Sequence, residues 1–180
     1  MHKIMTELHQ DHINLARLLS LLDEQVAILA AGDDADLFLI NDVADYIRRY
    51  SDQIHHPKED EVYKVFRTCS DTASDLVETL LVEHQSLPNA TLEFQKLLDG
   101  VINGDAIISR QELQDQIAQF IALEKAHINT EEAGLFPLIN STLQADHWAQ
   151  VESDMLEHTD PLFGAQVLDR YKALYQLLNT

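Results

Sequence analysis

A chain of 180 residues with 46% hydrophobic residues is long enough for one domain with a buried core. Its 12 Lys+Arg stand against 31 Asp+Glu, a formal net charge of -19; with no basic run, such a surface repels phosphate backbones and anionic headgroups, which excludes nucleic acid and membrane surfaces as partners. The single cysteine, Cys69, permits no intrachain disulfide and no cysteine-built metal site, whereas nine histidines among so many carboxylates supply the ligand chemistry of an oxygen- and nitrogen-coordinated metal.

No apolar run approaches the roughly 20 residues that span a bilayer, and Met1 to His12 lacks a basic-then-apolar signal pattern, so the expected location is cytoplasmic. Only five Gly and four Pro interrupt the chain, where long helices would end. The first apolar series, Met5, Leu8, His12, Leu15, Leu19, Leu22, Val26 and Leu29, advances by alternating threes and fours. That spacing places all eight on one helical stripe, which Gly32-Asp33-Asp34 ends. A second helix is predicted from about Asp36 to Phe66, with Ile47, Ser51, His55, Glu59, Val62 and Phe66 on an inner face that turns polar midway. Ser70-Asp71 reads as the cap of a third, whose stripe of Val77, Leu80, His84, Leu87, Thr91, Phe94 and Leu98 ends before Asn103-Gly104-Asp105. A capping box, Ser109 with Glu112, opens a fourth, which lines up Leu113, Ile117, Phe120, Glu124, His127, Glu131, Gly134 and Leu138.

Four amphipathic helices joined by short loops predict an all-α fold, an up-down-up-down four-helix bundle over about 1–140. Two further helices are expected from 141–180 within the same single domain. One is opened by a capping box of Ser141 with Gln144 and runs to about His158; the other runs from Asp160-Pro161 through Leu178. Their Trp148, Met155, Leu156, Phe163, Leu168, Leu174 and Leu178 are expected to pack on the bundle or on a second copy, which leaves a homo-oligomer open.

The two halves of the bundle repeat. An offset of 72 carries His12 onto His84, His55 onto His127, Glu59 onto Glu131, Asp60 onto Glu132, Asp52 onto Glu124, Asp11 onto Glu83, Leu8 onto Leu80 and Leu15 onto Leu87. The similarity concentrates on polar positions, where a site would be. His55 and Glu59, like His127 and Glu131, stand at i and i+4, one turn apart on one helix face. His12 and His84 lie on the inner stripes of the other two helices, so all six groups can converge at one level of the core. Two ionised glutamates there cost several kcal/mol each unless a cation compensates them. A dinuclear metal centre in one polar layer meets that condition.

At these residues the chain resembles the hemerythrin-like (HHE cation-binding) family. Its motifs are Asp11-His12, His55-His56-Pro57-Lys58-Glu59-Asp60, Glu83-His84 and His127-Ile128-Asn129-Thr130-Glu131-Glu132, in order over about 1–140. Asp160-Pro161-Leu162-Phe163-Gly164 also looks like an extension found in bacterial members. The resemblance implies a non-haem di-iron centre, with His12 and His55 on one iron, His84 and His127 on the other, Glu59 and Glu131 bridging, and an oxo or hydroxo completing an Fe-O-Fe unit. Manganese accepts the same ligands. Respiratory hemerythrins carry a further histidine one turn from the third-helix ligand; here those positions are Leu80 and Pro88. With about five ligands per iron, each metal keeps an open position if octahedral.

That favours a protein that binds or reacts with O2, NO or peroxide, in sensing, detoxification or redox buffering, over a reversible oxygen carrier. The alternatives are iron storage or donation, a di-iron repair protein, a di-iron enzyme with an organic substrate, and a helical interaction module with structural histidines. No pattern identifies a redox partner. Glu124 reads equally as an acceptor for an imidazole N–H, an extra ligand or a carboxylate at the solvated end of the bundle, and Asp52 as the last of these. His56, Asp60 and Glu132, about 100° around the helix from their neighbours, are expected to face another helix or water. Pro57 and Pro88 are expected to kink their helices. Tyr46, Tyr50 and Tyr63 either pack or supply a hydrogen bond or an electron near the centre.

Overall fold

The computed structural model describes residues 1–155 and 158–179. Four long helical rods run up, down, up and down. The first is α1 (Lys3–Ala31); the second joins α2 (Leu37–Tyr46), a π-helical segment (Ile47–His55) and α3 (His56–Cys69). The third is α4 (Ser74–Asn103), and the fourth joins α5 (Arg110–Thr130), a shorter π-helical segment (Glu131–Leu135) and α6 (Phe136–Thr142). Among the described residues there is no strand.

Local chemistry sets the rod ends. Asp36 caps α2 by accepting from the Leu39 N–H, and Ser109 and Glu112 form the expected reciprocal box at α5. Gly32 and Gly104 end α1 and α4 in the left-handed region, at φ 93° and 77°, where their N–H groups close back on the last helical carbonyls. The expected cap at Ser70-Asp71 is not formed. Ser70 ends α3, and α4 starts after Ala73, itself left-handed, with no side-chain cap.

Pro88 does not break α4, which runs through it, while Pro57 falls in the first turn of α3 and Pro137 in the first turn of α6. Both follow π-helical segments, whose i→i+5 bonding widens the turn. The kink expected at Pro57 is therefore replaced by a long wide stretch that precedes it. Both rods carrying a His–Glu pair have such a stretch at the pair.

Two apolar cores flank a polar layer. One gathers Leu15, Leu18, Leu22, Ile40, Ile47, Phe94, Ile117 and Phe120. The other gathers Met5, Leu8, Val62, Phe66, Val77, Leu80, Leu135 and Ile139. The C-terminal part packs on both, Trp148 and Val151 on the second, Leu162, Tyr171 and Leu174 on the first. Its helices are shorter than expected. Ser141 lies inside α6, so α7 (Ala145–Asp154) is capped instead by Gln144 and His147, with the Gln144 N–H donating to His147 Nδ1 at 3.0 Å. Asp160 turns its side chain onto the N–H groups of Leu162 and Phe163, but only turns follow, and helix resumes as a 3-10 turn (Asp169–Tyr171) and α8 (Lys172–Leu177). Leu168, expected to pack, is exposed, and Leu156 lies outside the described residues.

Candidate metal centre

His12 on α1, His55 closing the first π-helical segment, Glu59 on α3, His84 on α4, His127 on α5 and Glu131 opening the second π-helical segment are all buried in the polar layer. The aliphatic residues that flank them in sequence, Leu8, Leu15, Leu80 and Leu87, are buried beside them and exclude water. The two glutamates, both 0% exposed, lie among the four imidazoles.

Each glutamate spreads its two oxygens between two sides. Glu59 Oε1 lies 3.4 Å from His12 Nε2 and 3.3 Å from His55 Nε2, while its Oε2 lies 3.5 Å from His84 Nε2. Glu131 Oε1 lies 3.2 Å from His84 Nε2, and its Oε2 lies 3.2 Å from His12 Nε2 and 3.4 Å from His127 Nε2. His12 and His55 present their Nε2 atoms to each other at 3.0 Å. Two such lone pairs repel unless a proton or a cation lies between them.

The opposite ring nitrogens are held by a second set of carboxylates. Nδ1–H of His55 donates to Asp11 at 3.1 Å, that of His127 to Glu83 at 2.8 Å, that of His84 to Asp60 at 2.6 Å and that of His12 to Glu132 at 2.7 Å. A carboxylate only accepts, so each contact fixes the proton on Nδ1 and leaves Nε2 free to bind a cation. These four pairs also obey the offset of 72: His55–Asp11 maps onto His127–Glu83, and His84–Asp60 onto His12–Glu132. Asp60 and Glu132 face neighbouring helices as expected, but their partners are the site histidines. The repeat contained that signal; only the direction of each side chain was missing from it.

Burial disfavours the charged imidazoles, yet the glutamates and outer carboxylates outweigh it: His55 is raised to about 9 and His84 to about 10, and His12 well above its usual value. Against the same burial, the histidines hold Glu59 far below the usual carboxylate range and bring Glu131 down to about 2. Without metal, then, the layer's imidazoles and glutamates favour each other's charged forms. Even so, both oxygens of Glu59, Oε2 of Glu131 and Nε2 of His127 have no hydrogen-bond partner among the described residues. Buried atoms of this kind are seldom left unmatched, and all of them are metal-ligating types. The donor atoms of His12, His55 and Glu59 lie within 4.8 Å of one another, as do those of His56, Glu59, His84 and His127. Two overlapping groups that share Glu59 fit a pair of cations.

His56 faces neighbouring helices as expected, but it lies deeper in the layer than its spacing indicates. Its ring is buried, stacked on His84 at 4.5 Å between centroids and edge-on to His127 at 5.1 Å, and burial among these imidazoles holds it far below the usual histidine range. Its N–H bonds the Ser51 carbonyl across the wide turn, and that altered register, invisible to a 3.6-residue period, turns it inward. Tyr63 also joins the layer, donating to Glu131 Oε1 at 2.6 Å with its ring against His84. Neither has a symmetric counterpart: an offset of 72 gives Ile128 and Leu135.

Glu124 and Asp52 are not at a solvated end. Glu124 is 2% exposed and the Asp52 side chain equally so; both Asp52 oxygens and Glu124 Oε1 lack hydrogen-bond partners among the described residues, and neither residue accepts an imidazole N–H there. Burial raises them, Glu124 to about 8 with the help of Asp52, and Asp52 to about 6. His158 is exposed, beside Pro57 and Lys58 in a cavity of about 160 Å³ that none of the six lines.

Fold and layer together define a helical-bundle protein with a histidine- and carboxylate-lined core suited to metal cations. The chain belongs to the family of the hemerythrin HHE cation binding domain, whose model matches residues 3–139. No curated protein and no solved structure matches it significantly. Residues after 139, including α7 and α8, lie outside the family match.

Proposed function

We propose that the chain is a non-haem di-iron protein that binds or reacts with O2, NO or peroxide. The supporting observation is the orientation of the layer: four imidazoles with Nδ1 held by carboxylates turn Nε2 toward two buried glutamates, each of which faces both sides. His12 and His55 would hold one metal, His84 and His127 the other, with Glu59 and Glu131 shared. The donor set is nitrogen and carboxylate oxygen without sulfur, which suits iron or manganese.

Bound there, an iron pair supplies one-electron redox change and a coordination position on each metal for a small ligand. The chain's own contribution is to fix the tautomers through Asp11, Asp60, Glu83 and Glu132, to hold Glu131 through Tyr63, and to exclude water with the leucines around the layer. Leu80 and Pro88 provide no further donor one turn from His84, which supports reaction chemistry over reversible carriage. Size also bears on the ligand. The cavities of about 560 and 580 Å³ are lined by residues of the α4–α5 loop region and by Lys3, Glu7 and His158, none of them among the six. A diatomic or peroxide suits a layer this closed better than an organic substrate does.

The test is anaerobic addition of O2, NO or hydrogen peroxide to the iron-loaded, reduced protein with optical monitoring. A spectral change with at least one of them is expected. No change with any of the three, joined to rapid loss of iron to an apo-acceptor, would replace this reading with iron donation.

A further inference from the structure

From the metal layer a row of buried tyrosines leads into the part of the chain that the family match leaves out. Asp11 Oδ2, which holds His55 Nδ1, also accepts from the Tyr50 hydroxyl at 3.1 Å. Tyr50 stacks on Tyr46, with ring centroids 5.4 Å apart and planes 23° apart. Tyr46 meets Tyr171 edge to face at 5.7 Å. Each phenol spends its one proton on a carboxylate. The Tyr46 hydroxyl donates to Asp160 Oδ2 at 2.9 Å and that of Tyr171 to Asp45 Oδ2 at 2.8 Å. Arg170 lies over the Tyr171 ring and pairs with Asp45, and Tyr175, one turn further along α8, is 41% exposed.

Packing alone does not account for this arrangement. Phenylalanine would fill the same space at all three positions, and Asp11, Asp45 and Asp160 each keep another partner, in His55, Arg170 and the Leu162 and Phe163 N–H groups, so neither packing nor carboxylate burial requires the three hydroxyls. What three phenols with three bases offer, and phenylalanines do not, is oxidation at each ring with a local acceptor for its proton. The last two parts of the row, Asp160 and Tyr171, come from the segment after residue 139.

We propose that Tyr50, Tyr46 and Tyr171 form a path along which oxidising equivalents leave the metal layer for the C-terminal surface. The proposal rests on the di-iron reading above, with hydrogen peroxide as oxidant. Reducing hydrogen peroxide to two waters breaks the O–O bond and takes two electrons and two protons. An iron pair with one ferrous ion supplies one electron. Tyr50 supplies the second, its phenolic proton moving to Asp11, and solvent supplies the two protons that the waters need. Tyr46 then refills Tyr50 with an electron, giving its own proton to Asp160 while Tyr50 recovers one from Asp11. Tyr171 refills Tyr46 in the same way, with Asp45 as acceptor. Tyr175, 41% exposed, refills Tyr171 with an electron and loses its own proton to solvent while Tyr171 recovers one from Asp45, and a one-electron reductant of the ascorbate or thiol class restores Tyr175 with one electron and one proton.

The experiment uses the full chain loaded with iron, poised with one ferrous ion per pair, mixed with hydrogen peroxide and freeze-quenched. Electron paramagnetic resonance is expected to show an organic radical whose hyperfine pattern narrows when the protein carries ring-deuterated tyrosine. Peptide mass spectrometry is expected to find oxidised Tyr171 and Tyr175. Tyr46→Phe should keep the iron content and the initial optical change but lose oxidation at both C-terminal tyrosines. An optical change at the centre with no tyrosine radical overturns the path and leaves the di-iron reading standing; so does undiminished oxidation of Tyr171 in Tyr46→Phe. Absence of any optical change with peroxide overturns the peroxide reading and the path together. Should Tyr46→Phe fail to fold, Tyr171→Phe decides instead: it should keep the optical change and lose the oxidation of Tyr175, and undiminished oxidation of Tyr175 overturns the path.

Discussion

At the residue scale, the histidines in the layer are controlled from behind. Asp60, half-exposed at 42% of its side chain, holds the Nδ1 proton of His84, and Glu132 holds that of His12. Removing such a partner loosens the ring and weakens the donor without touching the metal, an effect of about 10–100-fold in metal affinity. Asp60→Asn is therefore expected to weaken binding in that range, read by competition with a chelator, with little change in fold. Glu131→Ala should be far more severe, since both sides of the layer share that carboxylate; elemental analysis should find only a small fraction of the parent's metal. The six inner residues were legible because paired repeats at one offset put imidazoles and carboxylates on inward stripes. The outer carboxylates occupied the same repeat, but a contact between helices needs the direction of a side chain, which periodicity does not carry. For His56 the sequence spacing indicated a neighbouring helix but not its place among the site imidazoles.

The reason for that miss lies at the scale of elements. Ile47–His55 and Glu131–Leu135 are π-helical, and a turn closed by i→i+5 bonds admits an extra residue, so positions beyond it no longer follow the 3.6 period. Rod ends show the converse, because capping chemistry is local. Asp36, Gly32, Gly104 and the Ser109–Glu112 box all act where their residue types suggest, whereas Ser70-Asp71 and Ser141 have similar types but fall outside the helix starts that packing selects, Gln144 capping α7 with His147 instead. Ser109→Ala should cost about 1 kcal/mol, visible as a lower urea midpoint with an unchanged m-value. The long final helix expected after Asp160-Pro161 fails for a related reason. Asp160 forms its local turn but also accepts from Tyr46, and the chain that follows lies across the bundle and buries Leu162.

For the whole molecule, the layer links folding to protons and metal. In the metal-free protein His55 and His84 are raised from 6.5 to about 9 and about 10, so the stability they contribute is complete below about pH 6.5 and is lost as pH rises through those values. Glu124, raised from 4.5 to about 8, acts in the same sense, favouring the folded state fully below pH 4.5 and no longer above 8. Glu131, lowered to about 2, has the opposite sign and matters only as pH falls below 4.5. Urea unfolding of metal-free protein should accordingly show stability declining from about pH 4.5, through Glu124, and on to about pH 10, through His55 and His84, while metal, which displaces the imidazole protons, should abolish the histidine part of that decline and release protons on binding at pH 7. Ligand at 1,000 times its dissociation constant adds about 4 kcal/mol to stability, so loading should raise the melting temperature by about 10 °C.

The di-iron proposal puts two metal ions in one buried layer, between shared glutamates. Elemental analysis of protein produced with ample iron and purified without chelator, joined to the optical spectrum of its oxidised form, tests this most directly. Two iron ions per chain are expected, with an absorption that disappears in Glu131→Ala. Well under one metal per chain, together with a melting temperature that neither added iron nor His84→Ala changes, would contradict it.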